Sequence, residues 1–216
     1  MAILWILFIG AYLVGSFPTS ILAGKLLKQI DIREHGSGNA GATNVYRVLG
    51  WKPAIIVLLI DGLKGWIAVK WIAVAGFESQ AIPDLGALQI LCGIGAILGH
   101  TYSIFAQFRG GKGIGTLAGV LIGLFPIAFP MALAVFIMTL ISTGFVSLSS
   151  LLAATSLPII LLGIFPFFDT INPPLSLLVF SLLIPWFVIF THRHNISRLK
   201  DGTEARFDRV MIFKKN

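Results

Sequence analysis

Charged side chains are scarce in this sequence. Only 12% of the 216 residues are Asp, Glu, Lys or Arg, whereas 56% are hydrophobic, and the mean hydropathy is +0.92. A soluble domain of this size is not expected to be so apolar, so the composition excludes that class. The single cysteine, Cys92, excludes an internal disulfide, and its position within an apolar run predicts a packing role.

The sequence also lacks the ~10-residue segments of alternating polarity that build a membrane β-barrel. Long apolar runs recur instead, and they predict an all-α integral membrane protein. The first run has no basic segment before it and no small-residue cleavage site, so we expect a retained span rather than a removable signal. The formal charge of +7 comes from basic residues beside apolar runs, which indicates cytoplasmic membrane ends and no nucleic-acid partner.

Five apolar runs have the length of single spans, at 2–27, 53–76, 85–108, 145–165 and 175–190. The stretch 114–142 is ambiguous, because its 29 residues are long for one crossing and short for two of about 20 residues each. Pro126 and Pro130 lie near its middle, where a helix is expected to break.

The positions of the basic residues resolve this ambiguity. The loop 77–84 contains Glu78 and Asp84 but no Lys or Arg, and the loop near Asp169 has none either, so both should face outward. The segments that should face the cytoplasm carry Lys28, Arg33, Arg47, Lys52, Arg109, Lys112, Arg193, Arg198, Lys200, Arg206, Arg209, Lys214 and Lys215.

This sidedness holds only if the stretch 114–142 crosses the membrane and returns. The sequence therefore predicts one membrane-embedded domain, 1–216, with seven membrane helices of which the fourth and fifth are short. The N-terminus lies outside and the C-terminus lies in the cytoplasm. Three polar segments then fall on the cytoplasmic face, where they can form a single site.

The first polar segment reads GSGNAGATNVYR, from Gly36 to Arg47. It fits G-x-G-x-x-G, but the dinucleotide-binding fingerprint needs a preceding strand, and a membrane span precedes this segment. Glycines still let the backbone turn so that N–H groups converge on an anion, and an arginine adds a bidentate phosphate donor. We therefore favour a phosphate site over an ordinary flexible loop, with further polar groups from Ser37, Asn39, Thr43 and Asn44.

The second segment, FRGGKGIGT, resembles part of a P-loop at Gly110, Gly111, Lys112 and Gly113. Gly113 occupies the position of the Ser or Thr that binds Mg²⁺ in a P-loop, so no metal is expected. A helix begins at Ile114, and a helix N-terminus attracts anions. The pattern favours an anion cradle over a tight cytoplasmic turn with two basic residues. His100, at the end of the preceding span, is interpreted as structural.

The third segment, HRHNISRLKDGTE, places His192, Asn195 and Arg198 on one face if it is helical. We expect Asp201 and Gly202 to end that helix and Glu204 to pair with a nearby cation. A basic tail on anionic headgroups is the alternative, and it explains Lys214 and Lys215 but not the neutral and acidic residues.

Two groups of polar residues lie within the spans. Asp61 and Lys64, three apart, should pair, because a charge at membrane depth needs a partner. Ser147, Ser149 and Ser150 open a span near the cytoplasmic face, where packing between helices is the alternative to a role in the site.

The segments GSGNAGATNVYRVLG, LGH…FRGGKGIGT and HRHNISRLKDGTE resemble, in order and spacing, the three signature segments of the PlsY family. These are bacterial acyl-phosphate:glycerol-3-phosphate acyltransferases of the inner membrane. DGLKG and VSLSS are also similar to that family. The sequence departs from the family pattern at Ala40 and Ser103, where Pro is common, and at Thr191, where a basic residue is usual.

The resemblance implies transfer of an acyl group from acyl-phosphate to the 1-hydroxyl of glycerol-3-phosphate, at a site on the cytoplasmic face of the inner membrane. No cofactor or metal is implied. The residues and the resemblance together assign catalysis to Ser37, Arg47, Lys112, His192 and Asn195. They assign substrate binding to Gly36, Gly38, Asn39, Gly41, Thr43, Asn44, Gly110, Gly111, Gly113, Thr116, Ser147 and Ser150, and a structural role to Asp61, Lys64, Arg198 and Glu204.

The expected partners are glycerol-3-phosphate, acyl-phosphate with its chain between helices, the lipid bilayer, and the soluble enzyme that supplies acyl-phosphate. Two anionic substrates repel each other unless cations lie beside them, and Arg47 and Lys112 are the residues expected to fill that role. Two groups are candidates for the proton acceptor, His192 and the phosphate of the acyl donor itself.

Three other functions fit the sequence less well. A transporter of a phosphorylated solute should have inverted repeats and polar residues at the midplane, whereas the polar segments here lie at span ends. An acyl-CoA-dependent acyltransferase carries H-x₄-D, and none of the four histidines has an acidic residue five positions later. A CDP-alcohol phosphotransferase needs further aspartates soon after Asp61, but the next acidic residue is Glu78.

Overall fold

A computed structural model of the chain describes residues 2–78, 84–167, 173–208 and 211. Every regular element among these residues is helical, as the apolar runs predict, and they contain no β-strand. The α-helices are α1 (Ala2–Ser16), α2 (Thr19–Lys28), α3 (Ala42–Leu49), α4 (Trp51–Ile67), α5 (Ala73–Glu78), α6 (Leu85–Thr101), α7 (Ile114–Leu124), α8 (Ala128–Thr143), α9 (Val146–Ile159), α10 (Leu175–Thr191) and α11 (Arg193–Lys200).

Shorter helical turns complete the described secondary structure. One π-helix, Ala68–Ile72, joins α4 to α5, and another, Ile160–Ile164, extends α9. The 3₁₀ turns are Ile32–Glu34, Ile104–Ala106 and Phe165–Phe167. The loop residue Asp169 and the basic residues Arg209, Lys214 and Lys215 lie outside the described residues.

The first apolar run is divided at Pro18. α1 ends at Ser16, and α2 begins at Thr19, directly after this proline. Proline has no N–H to continue the hydrogen bonding of α1, but it is accepted at a helix start, so it separates the two helices. Together the two helices are still long and apolar enough to cross a membrane, as Ala2–Lys28.

The ambiguous stretch 114–142 forms two helices, α7 and α8, as predicted. The break between them lies at residues 125–127 and includes Pro126. The expectation that Pro130 also breaks the chain is wrong, because Pro130 is the third residue of α8. In the first turn of a helix an N–H has no partner within the helix, so a proline there removes no hydrogen bond.

Three helical segments in the described part of the chain are long and apolar enough to span a membrane, namely Ala2–Lys28, Leu85–Ala106 and Val146–Ile164. The pair Leu175–Thr191 and Arg193–Lys200, bent by 64°, makes a fourth if it is counted as one span. Ile114–Leu124 and Ala128–Thr143 are shorter apolar helices. Seven crossings and their sidedness stay predictions.

Residues Met1–Leu124 form one compact unit, in which helices approach closely at glycines. A Cβ on Gly15 of α1 would meet the Ala96 backbone on α6, and a Cβ on Gly119 of α7 would meet the Gly62 carbonyl on α4. Small residues at such contacts let the backbones of membrane helices approach each other. Cys92 is fully buried in the same apolar cluster as Ala96, which agrees with a packing role.

Residues Phe125–Asn216 form a second compact unit. α8 and α9 are joined at Gly144, whose φ of +75° is a left-handed conformation that glycine adopts without strain. The Gly144 carbonyl accepts a hydrogen bond from the Phe207 N–H at 2.8 Å. This bond fixes the chain that follows α11 to the α8–α9 turn.

Candidate active site

Asn44 organises the first signature segment, residues 36–47. Its side chain is fully buried. The amide oxygen accepts a hydrogen bond from the Ser37 N–H at 2.7 Å, and Nδ2 donates to the Ile32 and His35 carbonyls, both at 2.9 Å. Because these bonds all go to loop backbone, we assign Asn44 to holding the segment in shape rather than to substrate contact.

Two glycines give this segment its path. Gly36 and Gly38 have φ values of +63° and +72°, which residues with a Cβ atom rarely adopt. A Cβ on Gly36 would also collide with the amide oxygen of Asn44. Ser37, between the two glycines, is exposed, and so is Arg47 on α3. The segment therefore carries a serine and an arginine at the protein surface.

The second signature segment, residues 108–116, is held by the end of α6. The Gly110 N–H donates to the Thr101 carbonyl at 3.0 Å, and the Gly111 N–H donates to the His100 carbonyl at 3.2 Å. The expectation that these two N–H groups face an anion is wrong, because both are bonded to protein carbonyls. Gly110 and Gly111 instead allow the turn to lie directly against α6.

The groups of the second segment that remain candidates for binding an anion lie further along the chain. Lys112 is half-buried, and Gly113 turns the backbone with φ +80° into α7, which begins at Ile114 as predicted. The N–H groups of the first turn of a helix have no partner within the helix, and the helix dipole favours negative charge there. A lysine two residues before such a helix start is a suitable place for a phosphate.

The first two signature segments lie in contact. A Cβ on Gly111 would meet the Ala40 carbonyl. Nη1 of Arg33, just before the first segment, donates to the Ala106 carbonyl, just before the second, at 2.8 Å. Arg33 is held by Asp31 at 2.6 Å, and hydrogen bonds from Arg33 lower the pKa of Asp31 to about 2.

A buried polar cluster lies beside these segments. Asp61 and Lys64 form the predicted ion pair at 2.6 Å. The Thr19 hydroxyl donates to the same Asp61 oxygen at 3.0 Å, and Nδ1 of His100 lies 3.6 Å from it. Lys64 also donates to the Phe17 carbonyl at 2.6 Å, and Phe17 lies in the break between α1 and α2. The cluster therefore joins three separate parts of the chain within a membrane-spanning unit.

The same residues line a small cleft. Ala40, Gly110 and Gly111 also border this cleft, so it reaches both glycine-rich segments. Ser16 lines it as well, and its buried hydroxyl has no hydrogen-bond partner among the described residues. The cleft thus combines charged, hydroxyl and glycine backbone groups.

Glu204 organises the third signature segment, residues 192–204. One carboxylate oxygen accepts hydrogen bonds from Asn195 at 2.6 Å and from Ser147 at 2.8 Å, and the other accepts from Nε of Arg198 at 2.8 Å. Partial burial raises the pKa of Glu204, but these three hydrogen bonds outweigh it and hold the pKa below its ordinary value. The predicted pairing of Glu204 with a cation is confirmed, and Gly202 follows the end of α11 as expected.

His192 lies at the bend between α10 and α11 and is buried. Asn195 and Arg198 lie within α11, which begins at Arg193 directly after its N-cap residue His192, and the face that these three residues are expected to share stays a prediction. Nδ1 lies 2.9 Å from the Val188 carbonyl, which can only accept, so we assign the proton to Nδ1. In the neutral ring Nε2 is then the acceptor.

Three predicted hydroxyl ligands are engaged or enclosed. The Ser147 hydroxyl donates to Glu204, and the Ser150 hydroxyl donates to the Val146 carbonyl of its own helix at 2.9 Å. Thr116 is fully buried where α7 packs on α4, with its backbone against Gly65. These positions support packing and positioning roles more directly than substrate contact.

The candidate residues fall into the two compact units. Ser37, Arg47 and Lys112 belong to the first, and His192 and Asn195 belong to the second. Their assembly on one cytoplasmic face stays a prediction. In the described part of the chain, no three His, Cys, Asp or Glu side chains are grouped so that they can hold a metal ion.

The sequence does not indicate the partners of Asp61 other than Lys64. Thr19 and His100 lie far from Asp61 along the chain, and no periodicity links them. The contact of Arg33 with Ala106 is not visible in the sequence for the same reason. A polar residue directly after a proline break, such as Thr19, and a histidine at a span end were the available signals.

The family model described as glycerol-3-phosphate acyltransferase matches residues 5–202. A glycerol-3-phosphate acyltransferase of Chlorobaculum tepidum is 46% identical over 217 residues, covering 91% of this chain and 93% of that protein. The corresponding protein of Pelodictyon phaeoclathratiforme is 42% identical over 219 residues, with the same coverage of both chains.

Two solved structures of PlsY, an integral membrane glycerol 3-phosphate acyltransferase, are also similar. The glycerol 3-phosphate form has a TM-score of 0.78 and 36% identity, and it covers 94% of this chain and 95% of its own. The lysophosphatidic acid form has a TM-score of 0.76 and 35% identity with the same coverage.

Proposed function

Because the chain belongs to the glycerol-3-phosphate acyltransferase family and is an acyltransferase, we propose that it transfers an acyl group from acyl-phosphate to the 1-hydroxyl of glycerol-3-phosphate. The hydroxyl oxygen bonds to the acyl carbon, the bond from that carbon to the phosphate oxygen breaks, and the hydroxyl proton passes to the released phosphate. The products are 1-acyl-glycerol-3-phosphate (lysophosphatidic acid) and phosphate, in the first acylation step of phospholipid synthesis.

The observation that carries this proposal is the contact between the two glycine-rich segments, at Ala40 and Gly111. Each segment has a cation close by, Arg47 on α3 and Lys112 before α7. Each substrate of the proposed reaction carries a phosphate. Two anions can come together only where cations offset their repulsion, and a site with two cationic segments in contact meets that requirement.

We assign the charge stabilisation to Arg47 and Lys112. A guanidinium binds a phosphate in a bidentate manner, whereas an ammonium acts as a point charge. Ser37, exposed on the first segment, supplies a hydroxyl near the same ligand. In the second unit Asn195 and His192 are the proposed catalytic residues, and Glu204 fixes the amide of Asn195 at 2.6 Å.

The phosphate of the acyl donor is the proposed proton acceptor. It becomes more basic as the acyl–oxygen bond breaks, so positioning and charge stabilisation carry the catalysis. The assigned tautomer of His192 leaves Nε2 as an acceptor, so His192 is the competing base. His192→Ala under saturating substrates distinguishes them, since a residual rate with an unchanged pH profile excludes His192 as the base.

The proposed location is the bacterial inner membrane, with seven crossings and the active site on the cytoplasmic side. The acyl chain lies between helices at the level of the inner leaflet, which explains why the enzyme is embedded in the membrane. Acyl-phosphate reaches the site from a soluble enzyme that makes it. The distribution of charge along the chain and the similarity to the family support these proposals.

The donor specificity tests this proposal directly. Purified protein in detergent is given glycerol-3-phosphate together with acyl-phosphate, acyl-CoA or acyl-carrier-protein in separate reactions, and lysophosphatidic acid is measured. We expect product with acyl-phosphate and none with the two thioesters. Product with acyl-CoA at a comparable rate contradicts the donor assignment, and absence of product with all three donors contradicts the proposed reaction.

A further inference from the structure

His100 contacts the turn at residues 110–113, here called the anion turn, through both its backbone and its ring. Its carbonyl accepts the Gly111 N–H at 3.2 Å. A Cβ on Gly110 would collide with that carbonyl, and a Cβ on Gly111 would collide with Nε2 of the ring. The path of the turn before Lys112 is therefore set by the position of this one histidine.

The ring of His100 is itself held in place. Nδ1 lies 3.6 Å from the Asp61 carboxylate, and both side chains are less than a tenth exposed. Asp61 also accepts from Thr19 and pairs with Lys64. Asp61 and Lys64 are the two charged residues that line the cleft together with His100. A ring fixed on one edge by a buried carboxylate presents its other edge in a defined position.

We propose that His100 is a positioning residue for the anion turn, and that Asp61 fixes the His100 ring in that role. The inference rests on the proposed function, since it assumes that Lys112 and the start of α7 bind a substrate phosphate. His100 touches no reacting atom. It acts by keeping Gly110 and Gly111 against α6, so that Lys112 and the first turn of α7 face the ligand together.

Two substitutions at His100 separate positioning from simple support of the fold. His100→Leu keeps similar bulk but removes both ring nitrogens, whereas His100→Asn keeps a donor where Nδ1 faces Asp61. We expect His100→Leu to raise the KM for glycerol-3-phosphate about tenfold, with kcat within about threefold of the wild type. His100→Asn should have a KM close to that of the wild type.

Gln89→Leu is the matched control on the same helix. Gln89 donates to the Val69 carbonyl at 3.1 Å and lies three turns before His100. Its loss removes one hydrogen bond of α6 far from the anion turn, so the KM should not change. An equal rise of KM in Gln89→Leu, or an unchanged KM in a folded His100→Leu, overturns the proposal.

Gly111→Ala provides a second variant in case His100→Leu does not fold. The added Cβ meets Nε2 of His100 and the Ala40 carbonyl, so the turn must shift. We expect a raised KM with kcat retained. A folded Gly111→Ala protein with an unchanged KM contradicts the dependence of substrate binding on this contact.

Hydrogen exchange separates failure of this inference from failure of the proposed function. The Gly110 and Gly111 N–H groups donate hydrogen bonds to α6 carbonyls, and their exchange can be measured without substrate or turnover. They should exchange faster in His100→Leu than in the wild type or in Gln89→Leu. Unchanged exchange overturns the positioning role, whereas a wild-type protein that forms no lysophosphatidic acid overturns only the proposed reaction.

Discussion

Glu204 and Asn44 each form three hydrogen bonds through one buried side chain. Glu204 accepts from three side chains on two helices. Asn44 holds three backbone groups of the loop before it. Each therefore controls the shape of a segment whose other residues are proposed to meet the substrates.

We expect Glu204→Gln to lower stability near neutral pH and to flatten its pH dependence. The pKa of Glu204 is lowered in the folded protein, so its ionised form stabilises the fold. This stabilisation is complete above a pH of about 4.3, the ordinary pKa of a glutamate carboxyl group, and it is lost as the pH falls through the lower pKa of the folded state. Thermal unfolding of detergent-solubilised protein from neutral to acid pH measures this. Asp208→Asn, at an exposed carboxylate 3.9 Å from Arg206, is the control and should change little.

We expect Asn44→Ala to destabilise the protein by about 2–3 kcal/mol, because the Ile32 and His35 carbonyls and the Ser37 N–H lose their partners. Activity should fall further than stability, since the path of residues 36–38 depends on this side chain. Thermal unfolding and the rate of acyl transfer are measured together. Asn39→Ala, in the same loop and only half-buried, should cost less than about 1 kcal/mol. Equal effects of the two variants would argue against the organising role.

At the scale of elements, the contacts between helices depend on glycines at crossing points. α4 and α7 meet where Gly62 and Gly65 face Gly119 and Thr116. This contact fixes the start of α7, and therefore the helix N-terminus that follows Lys112, relative to the Asp61–Lys64 pair on α4. A helix packing feature thus determines the geometry of a proposed anion site.

Gly119→Ala should separate α4 from α7, because the new Cβ would overlap the Gly62 carbonyl. We expect a loss of about 1–3 kcal/mol in stability together with a reduced transfer rate. Gly10→Ala in α1 is the matched control, since its Cβ would meet nothing within 4 Å. Alanine favours a helix over glycine, so Gly10→Ala should keep or raise stability. A Gly119→Ala protein as stable as Gly10→Ala would show that the close approach is not required.

At the scale of the whole molecule, sidedness decides whether the three signature segments can serve one reaction. The charge distribution predicts that the segments around Glu34 and Lys200 face the cytoplasm and that Glu78 faces outward. Each of these residues is exposed, so each accepts a reporter without disturbing a buried group.

Cysteine labelling tests this sidedness. In a Cys92→Ala background, Glu78→Cys should react with a membrane-impermeant thiol reagent added to right-side-out vesicles. Glu34→Cys and Lys200→Cys should react only after the vesicles are opened. Labelling of Glu34→Cys and Lys200→Cys from opposite sides would end the single-site interpretation, because substrates held at one segment would be a membrane thickness away from the other.

The sequence alone determined the helical class, the positions of most helices and the Asp61–Lys64 pair. These features are local. A chain in lipid must satisfy its backbone hydrogen bonds within each span, so apolar runs become helices, and charges three residues apart on a helix meet on one face. The break at Pro126 and the end of α11 before Gly202 follow from the backbone preferences of single residues.

Only the tertiary structure decided which polar groups meet across the chain. In the structure the Gly110 and Gly111 N–H groups donate hydrogen bonds to α6 carbonyls rather than to an anion, and Asn44 is hydrogen-bonded to its own loop. Thr19 and His100 both contact Asp61. No sequence pattern fixes such pairs, because their partners are far apart in the chain and are brought together by helix packing. The bend at His192 belongs here too, because whether a helix continues through that residue depends on what packs around it.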